Sequence, residues 1–220
     1  MSAKSEPSKY DIYRLYVSAI PEREIGEGEL RQLYPKARRA EIDEAESPKV
    51  KKEKYFVWRL LEIAIGDTVG YEIAELDIRK ADTGRWETDL FDFSLSHSEG
   101  VCAVLISRRY EGEHACGADI QKIGKPHTEA FAKRIMTEGE FSEYSALRDG
   151  EREDFLMLCW CGKEAIFKSR RASAFSARRL DTGRGVYKDI LELMGGRYAI
   201  ATASADGREE VPEIVHIKMH

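Results

Sequence analysis

Three short segments of the chain carry side chains that could bind a charged ligand or move a proton. They are SLSHSEG at 94–100, CGADIQKI at 116–123 and LCWCGKEAIFK at 158–168. Imidazole, carboxylate, amide and ammonium groups all occur in them, and groups of these types contact charged ligands and transfer protons. The candidate residues are His97, Asp119, Gln121, Glu164 and Lys168.

Glu164 and Lys168 are four residues apart in a segment with helical periodicity, so they share one face of the predicted helix. Taken alone, such a pair is most simply a surface ion pair worth about 0.2–0.5 kcal/mol. A single histidine in a turn, such as His97, is in the same way most simply a solvated side chain. The case for a site therefore depends on whether the three segments meet.

The elements around the first two segments predict that they do meet. Residues 91–95 alternate between apolar and polar and read as a half-buried strand, 101–106 read as a buried strand, and 115–120 as a third. His97 would lie in the turn after the first strand, and an antiparallel third strand would return Asp119 and Gln121 to the same edge. A histidine and a carboxylate far apart in sequence would then converge.

The remaining pattern predicts an α+β protein. Helices are expected at 27–41, at 51–65 with Gly66 and Gly70 as its stop, at 127–147 and at 153–168, and strands at 197–218. In each half of the chain a long helix precedes or accompanies a small antiparallel sheet. This arrangement predicts two similar, pseudo-symmetric halves, 1–110 and 111–220.

The composition of the chain limits the partners and the cellular location that can be expected for it. The 220 residues contain 35 Lys+Arg and 40 Asp+Glu, a net charge of −5, which argues against nucleic acid or membranes as partners. The first 16 residues lack an apolar run and no later stretch could span a bilayer, so a cytoplasmic location is expected. In that compartment the four cysteines are expected as free thiols.

Together the three segments resemble the surfactin-type 4'-phosphopantetheinyl transferases. The pattern of that family runs S-H-S-x-G, G-x-D-x-E and W-x-x-K-E-A-x-x-K, in this order. The spacing of 22 residues from His97 to Asp119 and of 45 from Asp119 to Glu164 is typical of it. The resemblance covers about residues 30–170 and includes the Gly84-Arg85-Trp86 stretch, where the family more often has Gly-Lys-Pro.

The resemblance implies an enzyme that transfers the phosphopantetheine arm of coenzyme A to a serine of an apo acyl or peptidyl carrier protein. Mg²⁺ is the implied cofactor, 3',5'-ADP the product, and a monomer the implied state. Carried over residue by residue, Asp119, Glu164 and Gln121 occupy the metal positions. Glu164 is also the implied proton acceptor, and Lys168 the implied contact to the reacting phosphates.

The resemblance further implies a set of groups around coenzyme A. His97 and Ser96 fall at positions that contact it, and Lys163 would be a second phosphate or charge-balancing group. Lys54 and Arg39 occur, with other cations of 36–54, where the family holds the adenosine 3'-phosphate. A solvated helix face explains any one of these cations equally well. The basic residues between Arg170 and Arg179 are either a steering patch for an acidic carrier or a solvated loop.

Gln121 departs from the family pattern, which more often has Glu there. An amide oxygen can ligate Mg²⁺ but brings no charge. A coenzyme A-binding family member with weak or no transferase activity, acting as a binding or regulatory protein, is therefore the nearest alternative. A structural or interaction protein, in which these polar groups are surface features, is a third.

Overall fold

The computed structural model describes residues 11–108, 115–171 and 174–220 of the chain. Within the first of these ranges lie strand β1 (Ile12–Ala19), helices α1 (Glu27–Gln32), α2 (Lys36–Asp43) and α3 (Pro48–Val69), a 3-10 turn (Ile73–Glu75), and strands β2 (Arg79–Lys80), β3 (Trp86–Glu87), β4 (Asp92–Ser98) and β5 (Val101–Arg108). The rest contains β6 (Cys116–Ile123), α4 (Glu129–Ile135), α5 (Glu138–Ala146), α6 (Asp149–Ser169), a second 3-10 turn (Ala177–Arg179), β7 (Val186–Leu193), β8 (Gly196–Ser204) and β9 (Glu213–Ile217).

The strands form two main sheets, and the α+β class is confirmed. The first sheet has the order β4-β5-β1-β9, antiparallel except where β9 runs parallel to β1, and the second has the antiparallel order β6-β8-β7. A two-stranded ribbon joins β2 to β3. The predicted boundary between the halves, 110/111, and the turn expected at 111–113 lie outside the described residues.

Three apolar clusters hold these layers together. Helix α3 packs on one face of the first sheet through residues such as Trp58 and Phe93, and α6 packs on the second sheet through residues such as Ala165 and Ala201. A third cluster, which includes Leu105 and Ile200, fills the space between the two sheets. The order of layers is therefore helix, sheet, sheet, helix. Among the described residues no helix is long and apolar enough to cross a membrane.

Two helices predicted as continuous are each divided in two. The first is broken between α1 and α2 at Pro35, because proline lacks the amide N–H and disfavours helical geometry in the residue before it. The second is broken at Thr137, whose hydroxyl accepts from the Glu140 N–H while the Glu140 carboxylate accepts from the Thr137 N–H, a capping box that starts α5. Of the two glycines predicted to stop α3, Gly70 is confirmed, since the helix passes through Gly66, ends at Val69 and has its C-cap at Gly70, where φ is +73°.

The expected three-stranded meander is also wrong. β6 pairs with β8 rather than with β5, and β4 runs alongside the free edge of β6 in the same direction. The bonds that join these two edges run from backbone N–H groups of β6 to side chains of β4. The N–H groups of alternate β6 residues donate to Asp92, Ser94, Ser96 and Ser98 at 2.6, 2.9, 3.2 and 3.0 Å. We call this set of contacts the β4–β6 seam; it satisfies an edge that would otherwise be open.

Candidate active site

Asp119 is the centre of the polar cluster at the β4–β6 seam. Only 4 % of this residue is exposed. Its Oδ1 accepts from Ser96 Oγ at 2.7 Å and from Lys168 Nζ at 2.8 Å, and its Oδ2 accepts from Gln121 Nε2 at 3.3 Å. The structure therefore brings together one residue of the first motif, two of the second and one of the third.

Gly117 explains why β6 and α6 lie close enough for these contacts. A Cβ atom at this position would lie 2.0 Å from the carbonyl oxygen of Ala165 and 2.6 Å from the amide nitrogen of Ser169. Only glycine allows the backbone of the strand to pack directly on the helix backbone. This close approach puts Asp119, two residues along β6, beside the face of α6 that carries Glu164 and Lys168.

The ammonium group of Lys168 links the two sheets. Besides Asp119 it reaches the carbonyl oxygen of Ala118 at 3.0 Å and that of Leu95 at 3.5 Å. These acceptors come from β6 and β4, so the lysine closes the seam from the side of α6. In this arrangement its charge balances the buried carboxylate of Asp119.

Glu164 lies half-buried one helical turn before Lys168. Burial raises the pKa of its carboxyl group, the negative charge of Asp119 raises it further, and Lys168 opposes the shift. The two carboxylates are thus close enough to repel each other. A carboxyl group with a raised pKa is a better proton acceptor once ionised than an ordinary glutamate.

His97 is not in the turn where the sequence places it. It is a residue of β4, which continues to Ser98, and the turn consists of Glu99 and Gly100. Its Nδ1 lies 3.3 Å from the Glu53 carboxylate of α3. Burial lowers the pKa of His97, and Lys168 and Arg38 lower it further, while Glu53 and Asp119 oppose this. The imidazolium form is therefore less favoured than in a solvated histidine.

Lys163 does not reach this cluster. Its side chain is fully buried, and Nζ donates to Glu140 Oε2 at 2.6 Å and to the carbonyl oxygen of Leu180. On α6 it points about 100° away from Glu164, toward α5 rather than toward the seam. Of the two roles expected for Lys163, the structure shows a charge-balancing contact, to Glu140, and it shows the ammonium group away from the seam.

The two cations expected at the 3'-phosphate occupy different places. Lys54 Nζ lies 3.3 Å from Glu41, close to the group formed by Arg38 and Trp86. Arg39 instead donates to the carbonyl oxygen of Arg31 at 3.0 Å. Arg39 therefore faces the depression between α1 and α3 and is not brought to the cluster.

A cavity of about 300 Å³ opens beside Lys168. Its wall combines the segment before β3, Trp86 of β3, the first part of β4 and the end of α6. The residues that line it are Thr83, Gly84, Arg85, Trp86, Phe93, Ser94, Leu95, Phe167, Lys168 and Arg171. Aromatic rings and cations together suit a flat heterocycle that carries phosphate.

Sequence reasoning gave no role to two residues of this region. Arg85 donates to Asp92 at 2.7 Å and to the carbonyl oxygens of Phe93 and Cys116 at 2.8 and 2.9 Å, so it fixes one end of the seam. Its only signal was the Gly84-Arg85-Trp86 stretch. Glu53, the partner of His97, had no signal, because only the packing of α3 on β4 brings it there.

The donor set at the seam fits Mg²⁺ but not a metal that needs several protein ligands. Among the described residues no group of three or more His, Cys, Asp or Glu side chains could hold a metal ion. Asp119 and Glu164 are two mutually repelling carboxylates, and Gln121 adds an amide beside them. Mg²⁺ takes one or two carboxylates and keeps several waters, so this set is sufficient in type and number.

Comparison with known proteins found similarity over the part of the chain that contains the second and third motifs. The sequence model of the 4'-phosphopantetheinyl transferase superfamily matches residues 115–200. A holo-[acyl-carrier-protein] synthase of Mycoplasma pneumoniae is 38 % identical over 50 residues, 22 % of this chain and 42 % of that protein. The enzyme of the same name from Mycoplasma genitalium is 40 % identical over 42 residues, 19 % of this chain and 37 % of that protein.

Both alignments span less than half of the relatives' own length. The matched segment 115–200 nevertheless contains the second and third motifs with the buried Asp119 and its partner Lys168. Over residues 115–200 these matches confirm the resemblance to the 4'-phosphopantetheinyl transferase superfamily.

Proposed function

We propose that this protein transfers the 4'-phosphopantetheine arm of coenzyme A to a serine of an apo acyl or peptidyl carrier protein and releases 3',5'-ADP. The observation that carries the proposal is the Asp119, Glu164 and Lys168 cluster, which lies within the segment that matches the superfamily and of which Lys168 also lines the cavity. The names of the two relatives, holo-[acyl-carrier-protein] synthases, add a carrier protein as the acceptor.

Coenzyme A fits the cavity in chemical type. Trp86, Phe93 and Phe167 provide apolar surface for the adenine ring, and Lys168 and Arg171 provide positive charge for the pyrophosphate. The volume of about 300 Å³ is at the lower end of the range for small-molecule sites, so it would hold the nucleotide part and leave the pantetheine arm outside. The reacting phosphorus would then lie near the seam.

In the proposed reaction the serine hydroxyl oxygen attacks the phosphorus next to pantetheine. The new bond joins that oxygen to phosphorus, the bond to the bridging pyrophosphate oxygen breaks, and the electron pair leaves with 3',5'-ADP. Glu164 accepts the hydroxyl proton, directly or through water. Lys168, which in this structure is shared between Asp119 and two carbonyl groups, turns to the phosphate oxygens that gain charge.

Asp119, Glu164 and Gln121 would hold Mg²⁺, which supplies positive charge to the pyrophosphate when it is bound. Before it binds, Lys168 is the cation that balances Asp119. Burial is the main cause of the raised pKa of Glu164, and the negative charge of Asp119 adds to it.

A second candidate function is coenzyme A binding with little or no transfer, and Gln121 favours it. The amide nitrogen of this residue donates to Asp119, so the side chain stabilises one metal ligand instead of adding a third negative charge. A protein of this kind would bind coenzyme A and leave carrier proteins unmodified. A protein that only interacts with other proteins would bind neither coenzyme A nor Mg²⁺.

The two halves, 1–110 and 111–220, remain part of the proposal, with coenzyme A in the cleft between them and a monomer as the active form. The packing of α3 on the first sheet and of α6 on the second supports two halves, although β9 of the second half completes the first sheet beside β1. Arg178 and Arg179 are exposed near the end of α6 and would steer an acidic carrier toward the cleft.

The direct test is intact-mass analysis of a panel of apo carrier proteins after incubation with coenzyme A and Mg²⁺. We expect at least one carrier to gain the mass of one phosphopantetheine group with the wild-type protein and not with Glu164→Gln. A carrier whose target serine is replaced by alanine is the matched control. Binding of coenzyme A without any mass gain across fatty-acid, polyketide and peptide carriers would support the binding protein instead.

A further inference from the structure

One guanidinium group contacts all three of the elements that carry the three motifs. Arg85, in the segment before β3, donates through Nη1 to the carbonyl oxygen of Lys168 on α6. Through Nη2 it donates to Asp92 Oδ2 and to the carbonyl oxygen of Phe93 on β4 at 2.7 and 2.8 Å, and to that of Cys116 on β6 at 2.9 Å. We call this set of contacts the Arg85 clamp; it joins β4, β6 and α6 at one point.

The hairpin between β2 and β3 presents Arg85 to these elements. Its turn is closed by the Ala81 N–H, which donates to the Arg85 carbonyl oxygen at 2.8 Å, and by the Gly84 N–H, which donates to the Ala81 carbonyl oxygen at 2.8 Å. Gly84 has a φ of +82°, a conformation that glycine adopts without strain. Trp86, the next residue after Arg85, is buried, and its ring lies 5.1 Å from that of Trp58 on α3. The tryptophan therefore anchors the hairpin in the core, while the arginine before it reaches the seam.

The contact to Lys168 lies at the C-terminal end of α6, which ends at Ser169. The last four carbonyl groups of a helix lack partners within the helix and carry partial negative charge. A cation that donates hydrogen bonds is favourable there for both reasons. Arg85, 83 residues earlier in the chain, supplies this cation. The clamp therefore fixes the backbone of Lys168 against the seam.

Lys168 is thus held at both ends. Its backbone carbonyl oxygen accepts from Arg85, and its ammonium group donates to Asp119 and to the carbonyl oxygens of Ala118 and Leu95. In the proposed reaction only the ammonium end moves, from Asp119 to the phosphate oxygens. A fixed backbone end keeps the ammonium group within reach of both positions, and a misplacement of about 1 Å can cost about 100-fold in rate.

We propose that Arg85 is a positioning residue for Lys168, which fixes the backbone from which the lysine ammonium group reaches the reacting phosphate. The inference rests on the proposed function and adds to it a residue outside the segment that matches the superfamily. Arg85 lines the cavity, but both of its terminal nitrogens donate to protein acceptors. Its Nε is buried and has no partner among the described residues. The geometry thus favours contacts to the protein over a direct contact to coenzyme A.

The test compares the wild type with Arg85→Lys. Lysine keeps a positive charge beside Asp92, but it has one nitrogen in place of the two that bond to α6 and to the strands. We expect Arg85→Lys to lower kcat by about tenfold or more and to change the KM for coenzyme A by less than about threefold. Without coenzyme A and Mg²⁺, an amine-reactive ester at fixed pH should modify Lys168 about fivefold faster in the variant, as the loss of one hydrogen bond would allow. Peptide mass spectrometry measures this rate relative to that of the exposed Lys218.

Two further variants separate the clamp from general stability. Arg197→Lys is the matched control, because Arg197 on β8 donates to Asp154 near the other end of α6 at 2.5 Å. This variant should keep the wild-type kcat and the wild-type labelling rate of Lys168. Gly84→Ala leaves every group of the clamp in place and strains only the turn that presents Arg85. It should change kcat and labelling in the same direction as Arg85→Lys, and its values decide the matter if Arg85→Lys does not fold.

Two results would overturn the inference. One is a folded Arg85→Lys protein that keeps the wild-type kcat or the wild-type labelling rate of Lys168. The other is a KM for coenzyme A that rises as much as kcat falls, or more, since Arg85 would then contact the donor directly. Failure of the proposed function is distinct, because the wild type would then modify no carrier. The labelling rate of Lys168 would in that case decide whether Arg85 holds it, and an unchanged rate would overturn the inference.

Discussion

Replacement of Lys163 by methionine separates the two roles that this residue could have. In the structure its ammonium group is fully buried and donates to Glu140 and to the carbonyl oxygen of Leu180. Removing one partner of a buried ion pair leaves the other charge uncompensated, which costs about 3–5 kcal/mol. For a protein of this size that corresponds to a melting temperature lower by roughly 6–20 °C.

The other contacts of Glu140 help to determine how much stability the Lys163→Met variant loses, and they suggest a way to measure that loss. Glu140 also accepts from the N–H of Thr137 and from the N–H and hydroxyl of Thr182, so it joins α5 and the segment before β7 to α6. The double variant Lys163→Met with Glu140→Gln removes both charges and should recover part of the loss. Urea unfolding of the wild type, the two single variants and the double variant gives the coupling energy between Lys163 and Glu140, which we expect to be about 1–3 kcal/mol.

Glu140 also predicts how stability depends on pH. Burial would raise the pKa of its carboxyl group, but the hydrogen bonds from Lys163, Thr137 and Thr182 lower it below the ordinary value of 4.5. A lowered pKa contributes stability that is complete above the ordinary value and is lost as the pH falls through the folded-state value. Lys163→Met should therefore flatten this acid-side loss of stability.

The affinity of the Lys163→Met variant for coenzyme A tests whether Lys163 contacts the ligand. We expect Lys163→Met, at a temperature where it is folded, to bind coenzyme A with nearly the wild-type Kd, because the ammonium group points away from the cavity. A variant that melts with the wild type but binds coenzyme A much more weakly would show that Lys163 contacts the ligand. The reasoning from the buried pair would then be wrong.

The other predictions concern the seam and its ligands. His97→Ala should raise the KM for coenzyme A more than it lowers kcat, because a contact remote from the reacting bond is uniform binding; steady-state kinetics check this, and an unchanged KM with a collapsed kcat would contradict it. Asp119→Ala and Glu164→Ala should each slow transfer about 100-fold or more, and Gln121→Ala should slow it much less. Gln121→Glu should lower the Mg²⁺ concentration that gives the half-maximal rate. The transfer rate is measured as Mg²⁺ is titrated, and near-normal rates for Asp119→Ala and Glu164→Ala would reject the metal assignment. Gly117→Ala should destabilise the fold by about 1–3 kcal/mol or more and reduce transfer in the folded fraction, since its Cβ meets backbone atoms of α6; urea unfolding measures this, and a wild-type midpoint would contradict it.

Local patterns predicted the elements that are amphipathic over many residues. Helix α3 follows from the spacing of Tyr55, Trp58, Leu61 and Ile65, all buried in the structure. The strand at β4 follows from alternation, and β5 from a continuous apolar run. The convergence of the first two motifs is confirmed by the bond from Ser96 to Asp119, although the geometric route to it was wrong.

What could not be predicted depends on packing across long separations in sequence. β1 has the residues of a strand, but its place between β5 and β9 depends on the C-terminal segment, which pairs with it from almost 200 residues away. The direction of Lys163 depends on Glu140, which only the position of α5 reveals. The position of Glu41 among three cations depends in the same way on how α2, α3 and β2 meet.

The seam gives a physical reason for the spacing of serines in the first motif. Ser94, Ser96 and Ser98 point toward β6 and accept from its N–H groups, whereas His97, which alternates with them, faces α3 and Glu53. A side-chain bond can be broken and remade more locally than a ladder of backbone bonds, because each serine acts separately. The two sheets are therefore held in register beside Asp119 by separate side-chain bonds rather than by a ladder of backbone bonds.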